Sequence, residues 1–438
     1  MSTVDGVLGK ARGLFRRSRP MRWAMASQVV TSGANFATTL IIVRSLGLGE
    51  FGQFSVCFLL AMIMRNFLNG VLLTPMSTIA PKLTHRAQAN YRGFLAVNGI
   101  AFSLSSSILL YALAAPLGIA LNAPWLPEMA LALALANFTA NGADFIRRYH
   151  FVQNAPVWAF AVDMVRFTVQ LGLLLALALV WNNDFSAQTA LYALAAGGLF
   201  GLIGGLLHYG TATWSNRVSS AVWPRHWNFI KWMTPNVTLE VAQNSGVLLL
   251  GGAILGDAAL GGVRAMQNLA NTINLPFNAL QQVAPTLASR ALVAGGVVGM
   301  KRFIASMIRW SLLLVFLITF AVFVFADPLI AGLFQIPVSE NLGILLLFCG
   351  ANALVAIRFP LTVGFQSTEQ PLMLLMANTL AAVVAAAGVI WLSPILAGAA
   401  IPTTRILAAG SAIIFLAILI RNGFSANIGK GNTKPLTD

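Results

Sequence analysis

The sequence is poor in everything a soluble enzyme needs. Of its 438 residues only 9% are charged, against the roughly 25% usual for a soluble domain. Acidic residues are scarcest: Asp and Glu number 12 against 27 Lys and Arg. That leaves no loop with the paired carboxylates of an integral glycosyltransferase or polymerase. There are two cysteines, Cys57 and Cys349, both in apolar runs, which excludes a disulfide framework or a thiolate metal site. Four histidines at or near loops show no ligand spacing. No G-x-x-x-x-G-K-[ST] segment is present, so the chain does not hydrolyse ATP through a P-loop, and H-E-x-x-H and G-x-S-x-G are missing too. No connection is long enough for an extramembrane catalytic domain, which needs ~50 residues.

What remains is apolar. Hydrophobic residues make up 58% and the mean hydropathy is +0.79. A hydrocarbon core of roughly 30 Å takes about 20 apolar residues per helix, and runs of that length recur along the chain. The alternating ~10-residue segments of an outer-membrane barrel are not seen. We expect an all-α polytopic protein of about twelve spans, near 22–44, 51–74, 93–115, 125–146, 157–181, 187–208, 229–254, 260–285, 302–326, 341–361, 370–392 and 398–420. The first apolar run lacks a small-residue cleavage site and reads as a retained span.

The net charge of +15 is distributed by loop rather than gathered into a nucleic-acid surface. Basic residues fall in the N-terminal arm (Lys10 to Arg22), after span two (Lys82, Arg86, Arg92), after span four (Arg147, Arg148), between spans six and seven (Arg217, Arg225, Lys231), after span eight (Arg290, Lys301, Arg302), at the end of span ten (Arg358) and in the tail. Intervening loops such as 116–124, 182–186, 327–340 and 393–397 hold no Lys or Arg. Positive loops stay cytoplasmic, so both termini are expected inside; the bacterial inner membrane is the setting that the family resemblance given below implies. The expected organisation is a basic arm 1–21, an N-lobe 22–208, a linker 209–228, a C-lobe 229–420 and a tail 421–438.

Shifted by 209 residues, the chain matches itself. Arg22-Trp23 falls on Lys231-Trp232, Asn35 on Asn244, Asn69 on Asn278, and the stretch Leu46 to Gly52 on Leu255 to Gly261. Six spans per repeat insert with the same orientation, which predicts two parallel six-helix lobes around a central path.

Ionisable groups within spans are costly and face a partner or a cavity. Arg44, Arg65, Arg166, Arg264, Arg309 and Arg405 outnumber Asp144, Asp163 and Glu240. In span eight Arg264, Gln267, Asn271, Asn274 and Asn278 recur every three or four residues, which predicts one helical face. Span seven repeats the pattern with Asn236, Glu240, Gln243 and Asn244, span one with Gln28, Ser32 and Asn35, and span two offers Arg65, Asn66 and Asn69. Guanidinium forks and amides suit phosphate oxygens and sugar hydroxyls. The alternative role is helix packing, through amide hydrogen bonds, an i,i+3 neutralisation of Asp163 by Arg166, and a glycine seam at 197, 198, 201, 204 and 205. Arg65 and Arg264 have no obvious local acid. The candidate substrate-binding residues are therefore Arg44, Arg65, Arg264, Asn35, Asn69, Asn244, Gln267, Asn271 and Asn274. Glu240 and Asp163 are the candidates for ion coupling, and no metal or cofactor is expected.

Span one and its turn read Ser32-Gly33-Ala34-Asn35-Phe36, then Val43-Arg44-Ser45-Leu46-Gly47 and Glu50-Phe51-Gly52. This resembles the S-x-x-N-F … A-R-x-L-G-x-x-x-F-G pattern of polysaccharide-export and O-antigen flippases of the multidrug/oligosaccharidyl-lipid/polysaccharide exporter superfamily, with Val43 in place of the usual Ala. Leu255-Gly256, Leu260-Gly261 and Asn274-Leu275-Pro276 are similar in the second half. The resemblance implies a two-lobed, twelve-helix fold with a cationic cavity, and movement of an undecaprenyl-pyrophosphate-linked oligosaccharide from the cytoplasmic to the periplasmic leaflet by alternating access. It maps the family's cavity arginines onto Arg44, Arg65 and Arg264, with membrane lipids, a polysaccharide polymerase and glycosyltransferases as partners. The related lipid II flippases carry an arginine shortly before the L-P of span eight, where this chain reads Ala270 to Asn274. The rival expectations are a multidrug and toxin extrusion cation antiporter of the same fold and a major-facilitator transporter, whose usual loop after span two is absent.

Overall fold

A computed structural model describes residues 19–79, 85–153, 155–210, 216–274, 277, 284–335, 337–367 and 371–423. Both termini and Asn278 lie outside them. The protein is all-α, with no strand among the described residues. The helices are α1 (Arg19–Leu68), α2 (Thr74–Ile79), α3 (His85–Ala120), α4 (Ala130–Val152), α5 (Pro156–Leu179), α6 (Ala187–Leu206), α7 (Asn216–Val241), α8 (Val247–Leu255), α9 (Asp257–Ala270), α10 (Ala284–Val324), α11 (Val338–Ser367), α12 (Pro371–Leu396) and α13 (Ala400–Gly423).

Among the described residues, eight stretches are long and apolar enough to cross a membrane, and two of them, Ala26–Met76 and Leu372–Ile420, span 51 and 49 residues. At 1.5 Å per residue each of those two is about 75 Å long, enough for two crossings. The two remaining spans of the sequence reading, α4 and α9, are not among these stretches. One is broken up by Asn137, Asn141 and Asp144, and the other stops after 14 residues. Both carry intramembrane charge, Asp144 on α4 and Arg264 on α9.

The chain divides into two units, 1–238 with 256–261, and 239–255 with 262–438. In the first, α4 and α5 both pack on α6, α1 packs on α5, and α3 on α4. The glycine seam of α6 makes this possible. A Cβ at Gly197 would meet the backbone carbonyl of Arg166, one at Gly198 would meet Thr139, and one at Gly205 would overlap Ile146. The backbones approach as close-packed membrane helices do when small residues line the contact. Ser186 and Thr189 form a reciprocal capping box at the start of α6, and Glu50 Oε2 accepts the Ala187 backbone N–H at 2.7 Å. The Glu50 of the E-F-G motif is thus a helix cap. In the second unit α12 packs on α13, and α11 on α10 and α13.

The repeat appears in the backbone. Gly47 and Gly256, 209 residues apart, both adopt left-handed angles, φ 78° and 88°, which a side chain disfavours. Gly52 and Gly261 are likewise equivalent, and so are Leu48 and Asp257. A Cβ on Gly52 would overlap the Asp257 carbonyl, and a Cβ on Gly261 would overlap the Leu48 carbonyl. This reciprocal crossing lies wholly within the first unit, where Trp125 Nε1 also donates to Asp257 Oδ2 at 2.6 Å. The motif glycines are there because two backbones cross.

Candidate functional site

The first unit holds a buried charge cluster whose hub is Asp144 on α4, 4% exposed. Arg65 of α1 approaches its Oδ2 at 2.6 Å and donates to Oδ1 at 3.1 Å. Arg166 of α5 donates to the same Oδ1 at 3.1 Å, and Arg147 of α4 stands 4.0 Å from it. Asp163 on α5, also buried, accepts from Ser27 Oγ and from Arg147 Nη1 at 3.5 Å. Three guanidinium groups thus surround two carboxylates.

Three sequence expectations are corrected here. Arg65 does have an acidic partner, 79 residues away on α4, a pairing that no local pattern shows. Asp163 and Arg166 do not chiefly neutralise each other: along α5 the acid turns toward Ser27 and Arg147 while the arginine turns toward Asp144. Arg147, placed by sequence in a loop, lies within α4 and takes part.

Beside the hub is a cavity of about 40 Å³, lined by Arg65, Arg166, Asn137, Asn141, Phe58 and Met62 among others, none of them acidic. Asn137 donates to Ser106 Oγ at 3.0 Å and Ser107 Oγ at 2.8 Å, and Asn141 donates to Asn137 Oδ1 at 3.2 Å. The spacing Asn137, Asn141, Asp144 marks one face of α4 and was the signal available in the sequence. Below it, Gln170 donates to Thr38 at 2.8 Å.

Asn35 is exposed, and its carbonyl accepts from Thr39 at 3.1 Å. Arg44 is exposed three residues before the Gly47 turn. Asn69 opens a π-turn over Asn69–Leu73 and donates to the Arg65 carbonyl at 3.1 Å, which ties the backbone beneath that arginine.

The second unit joins its polar residues through amides. Arg264, buried on α9, donates to Gln267 Oε1 at 2.7 Å. The predicted single face of span eight is interrupted at Asn271, where the helix tightens into a 3₁₀ turn over Asn271–Asn274. Asn274 then reaches Asn271 and Asn352 Oδ1, both at 3.3 Å. A π-turn over Ala242–Gly246 presents Gln243 and Asn244. Gln243 Oε1 accepts from Arg358 at 3.2 Å, and Arg358 also donates to Asn378 Oδ1. Asn244 Oδ1 accepts from Arg405 at 3.3 Å, and its own amide donates to the carbonyl of Glu240, whose side chain is exposed. Arg358, which the charge alternation put at a cytoplasmic end, sits inside the apolar stretch Val338–Phe365. Its partners Gln243 and Asn378 lie on two other helical segments, so spacing could not have revealed them.

No family model matches the chain, and no curated protein does. Solved structures do. A multidrug resistance MATE family transporter of the MOP superfamily in an inward-facing conformation aligns with TM-score 0.70 at 11% identity, over 90% of this chain and 94% of that one. The lipid II flippase MurJ, inward closed, aligns with TM-score 0.71 at 9% identity, over 91% and 87%. A MOP superfamily transporter from Pyrococcus furiosus, described by the reverse polarity of its binding pocket, aligns with TM-score 0.63 at 14% identity, over 92% and 94%. The chain has the polytopic fold of the MATE and MurJ transporters of the MOP superfamily.

Proposed function

We propose that the chain is a flippase of this superfamily for an anionic lipid-linked oligosaccharide of the polyprenyl-pyrophosphate type. The carrying observation is the surplus of arginine within the spans of each unit: Arg65, Arg147 and Arg166 against Asp144 and Asp163 in one, and Arg264, Arg358 and Arg405 against Glu240 in the other. Guanidinium groups in low dielectric attract pyrophosphate and repel an organic cation. The reverse polarity stated for the Pyrococcus furiosus neighbour agrees with a MOP fold turned to a different cargo. In this reading the chain sits in a bacterial inner membrane, and its basic loops favour both ends on the cytoplasmic side.

The MATE reading has its own support in the MATE neighbours and in the acids of the first unit, the cation-attracting part of the charge. Reconstituted vesicles separate the two. A fluorescent polyprenyl-pyrophosphate saccharide is added to both leaflets, and the inner share is read by quenching from outside. Protein-dependent exchange of the protected share supports the flippase. Efflux of a cationic dye against a proton or sodium gradient, with no lipid movement, overturns it.

A further inference from the structure

Helix α10 of the second unit exposes an aromatic stripe that starts in positive charge. Arg302, Arg309, Leu313, Phe316, Phe320 and Phe323 are all exposed and recur at intervals of three, four or seven residues, which sets them on one face of the helix. Five phenylalanines are exposed among the described residues. Three belong to this stripe, and a fourth, Phe325, directly follows the helix. Phe316 and Phe320 stack with ring centroids 6.3 Å apart and planes 20° from parallel. The exposed side of α3, by contrast, is chiefly aliphatic, with Val97, Ile100, Leu104 and Ile108.

Arg309 lies inside the apolar stretch Gly295–Val324, about 10 Å along the helix from Arg302. It forms no ion pair among the described residues, and α10 has no Asp or Glu along its length. An uncompensated guanidinium at that depth is costly, so the face is complementary to a lipid-borne anion. The length of the stripe then selects among such lipids. Phe323 lies about 21 Å along the helix from Arg309, whereas the hydrocarbon of one leaflet is about 15 Å deep. An acyl chain one leaflet long, anchored at Arg309, ends short of the last ring. A polyprenyl chain passes along all of them. A second copy of this chain fits worse, because a two-fold axis along the membrane normal would set one Arg309 against the other with no acid on either helix.

We propose that this face of α10 is the docking surface for the polyprenyl pyrophosphate part of the lipid substrate, with the pyrophosphate at Arg302 and Arg309 and the isoprenoid tail laid along Leu313, Phe316, Phe320 and Phe323. The class of lipid rests on the flippase reading, and the stripe adds where its tail rides. The tail stays on the outer, lipid-facing side of the fold, with its C–H groups against the negative ring faces. Only the head and the saccharide then have to cross.

The experiment uses the full-length protein in lipid nanodiscs. A polyprenyl pyrophosphate carrying a diazirine midway along its tail is photolysed, and the labelled peptides are identified by mass spectrometry. Label concentrated on 313–323 is the expected result, with unlabelled polyprenyl pyrophosphate competing at least tenfold better than phosphatidylglycerol. Arg309→Gln raises the half-saturating concentration about tenfold, the weight of one charge-assisted hydrogen bond. Phe316→Leu combined with Phe320→Leu keeps the face apolar, leaves the packing within the unit intact and lowers the label severalfold. Label spread evenly over the lipid-facing helices, equal competition by phosphatidylglycerol, or undiminished labelling in Arg309→Gln overturns the proposal. Disulfide-linked dimers of Phe316→Cys in native membranes would assign the face to a second copy and overturn it too. Vesicle exchange is scored separately. Exchange without label on α10 refutes the docking surface and leaves the flippase reading, and label on α10 without exchange does the reverse.

Discussion

Asp144→Asn is the sharpest test of how the first unit is held together. The substitution is isosteric; it removes the charge and replaces one acceptor oxygen by an NH2 donor. Arg65 Nη2 and Arg166 Nη1 each reach Oδ1 at 3.1 Å, so these two nitrogens lie within about 6 Å of each other. With the carboxylate gone, two guanidinium groups at that separation repel by about 2–3 kcal/mol at an effective dielectric of 20. Arg147, 4.0 Å from the same oxygen, adds to the repulsion. Breaking one partner of a buried pair typically costs about 3–5 kcal/mol, and here one acid serves three bases. Arg65→Ala is different, because Asp144 keeps Arg166 and Arg147 and loses about 1–3 kcal/mol of charged hydrogen bonding. The expected order of stability is therefore wild type, then Arg65→Ala, then Asp144→Asn. Thermal size-exclusion profiles of detergent-solubilised protein, together with unfolding in mixed micelles, read this order. If Arg65→Ala melts below Asp144→Asn, the acid is not the hub and the cluster has been misread. The same measurement guards the vesicle assay: loss of lipid exchange in Arg65→Ala would count as a substrate effect only in protein that still melts near wild type.

Three further outcomes follow from other parts of the molecule. Gly52→Ala drives a methyl into the Asp257 carbonyl and should abolish the folded, monodisperse protein, whereas Gly33→Ala, with nothing within 4 Å, should be neutral or gain up to about 1 kcal/mol in yield-independent stability. His226 precedes the apolar stretch Thr234–Leu255, contacts Tyr91 Oη at 2.8 Å, and has its pKa pushed by burial down to about 4. The unfolded chain then binds the extra proton, so stability should fall as pH drops from about 6.5 toward 4, and His226→Gln should flatten that slope. A reporter active only in the periplasm, fused after Asp438, should stay silent, and strong activity would remove a span from the topology.

Hydropathy is a property of single residues summed over a window, so the spans could be read from sequence, and the Leu-Gly turns recurring at an offset of 209 made the repeat readable too. Helix ends were harder. α3 starts at His85 and α10 at Ala284, well before the apolar runs near 93 and 302, and α10 bends at Gly295 and Gly296 between its two parts. Less apolar helix outside the hydrocarbon carries no hydropathy signal. The polar network was half legible. Residue identities pointed to Arg65, Arg264, Gln267 and the asparagines, but their partners are chosen by packing between distant helices. Ser27 meets Asp163 across 136 residues, and Arg358 meets Gln243 across 115. Arg147 looked like a loop charge because the apolar run ends before the helix does.

The repeat also shows where charge was placed and where it was not. A shift of 209 carries Arg65 onto Asn274, and Asp144 to the neighbour of Asn352. The second unit has Asn274 and Asn352 hydrogen-bonded at 3.3 Å, and Asn352 Nδ2 donates to the Ala270 carbonyl at 3.0 Å. Contacts at equivalent or adjacent helical positions are thus made by ions in one unit and by amides in the other. The two chemistries differ in what their loss costs. Removing Asn352 deletes neutral hydrogen bonds worth about 1 kcal/mol each and strands no charge. Removing Asp144 strands up to three. Asn352→Ala should therefore destabilise by about 1–2 kcal/mol, less than half the cost of Asp144→Ala, although both side chains are more than nine-tenths buried. Unfolding of the two variants in mixed micelles compares them directly. Equal losses would mean that burial alone governs both positions, and the ionic character of the first unit would then have to be explained by what it binds.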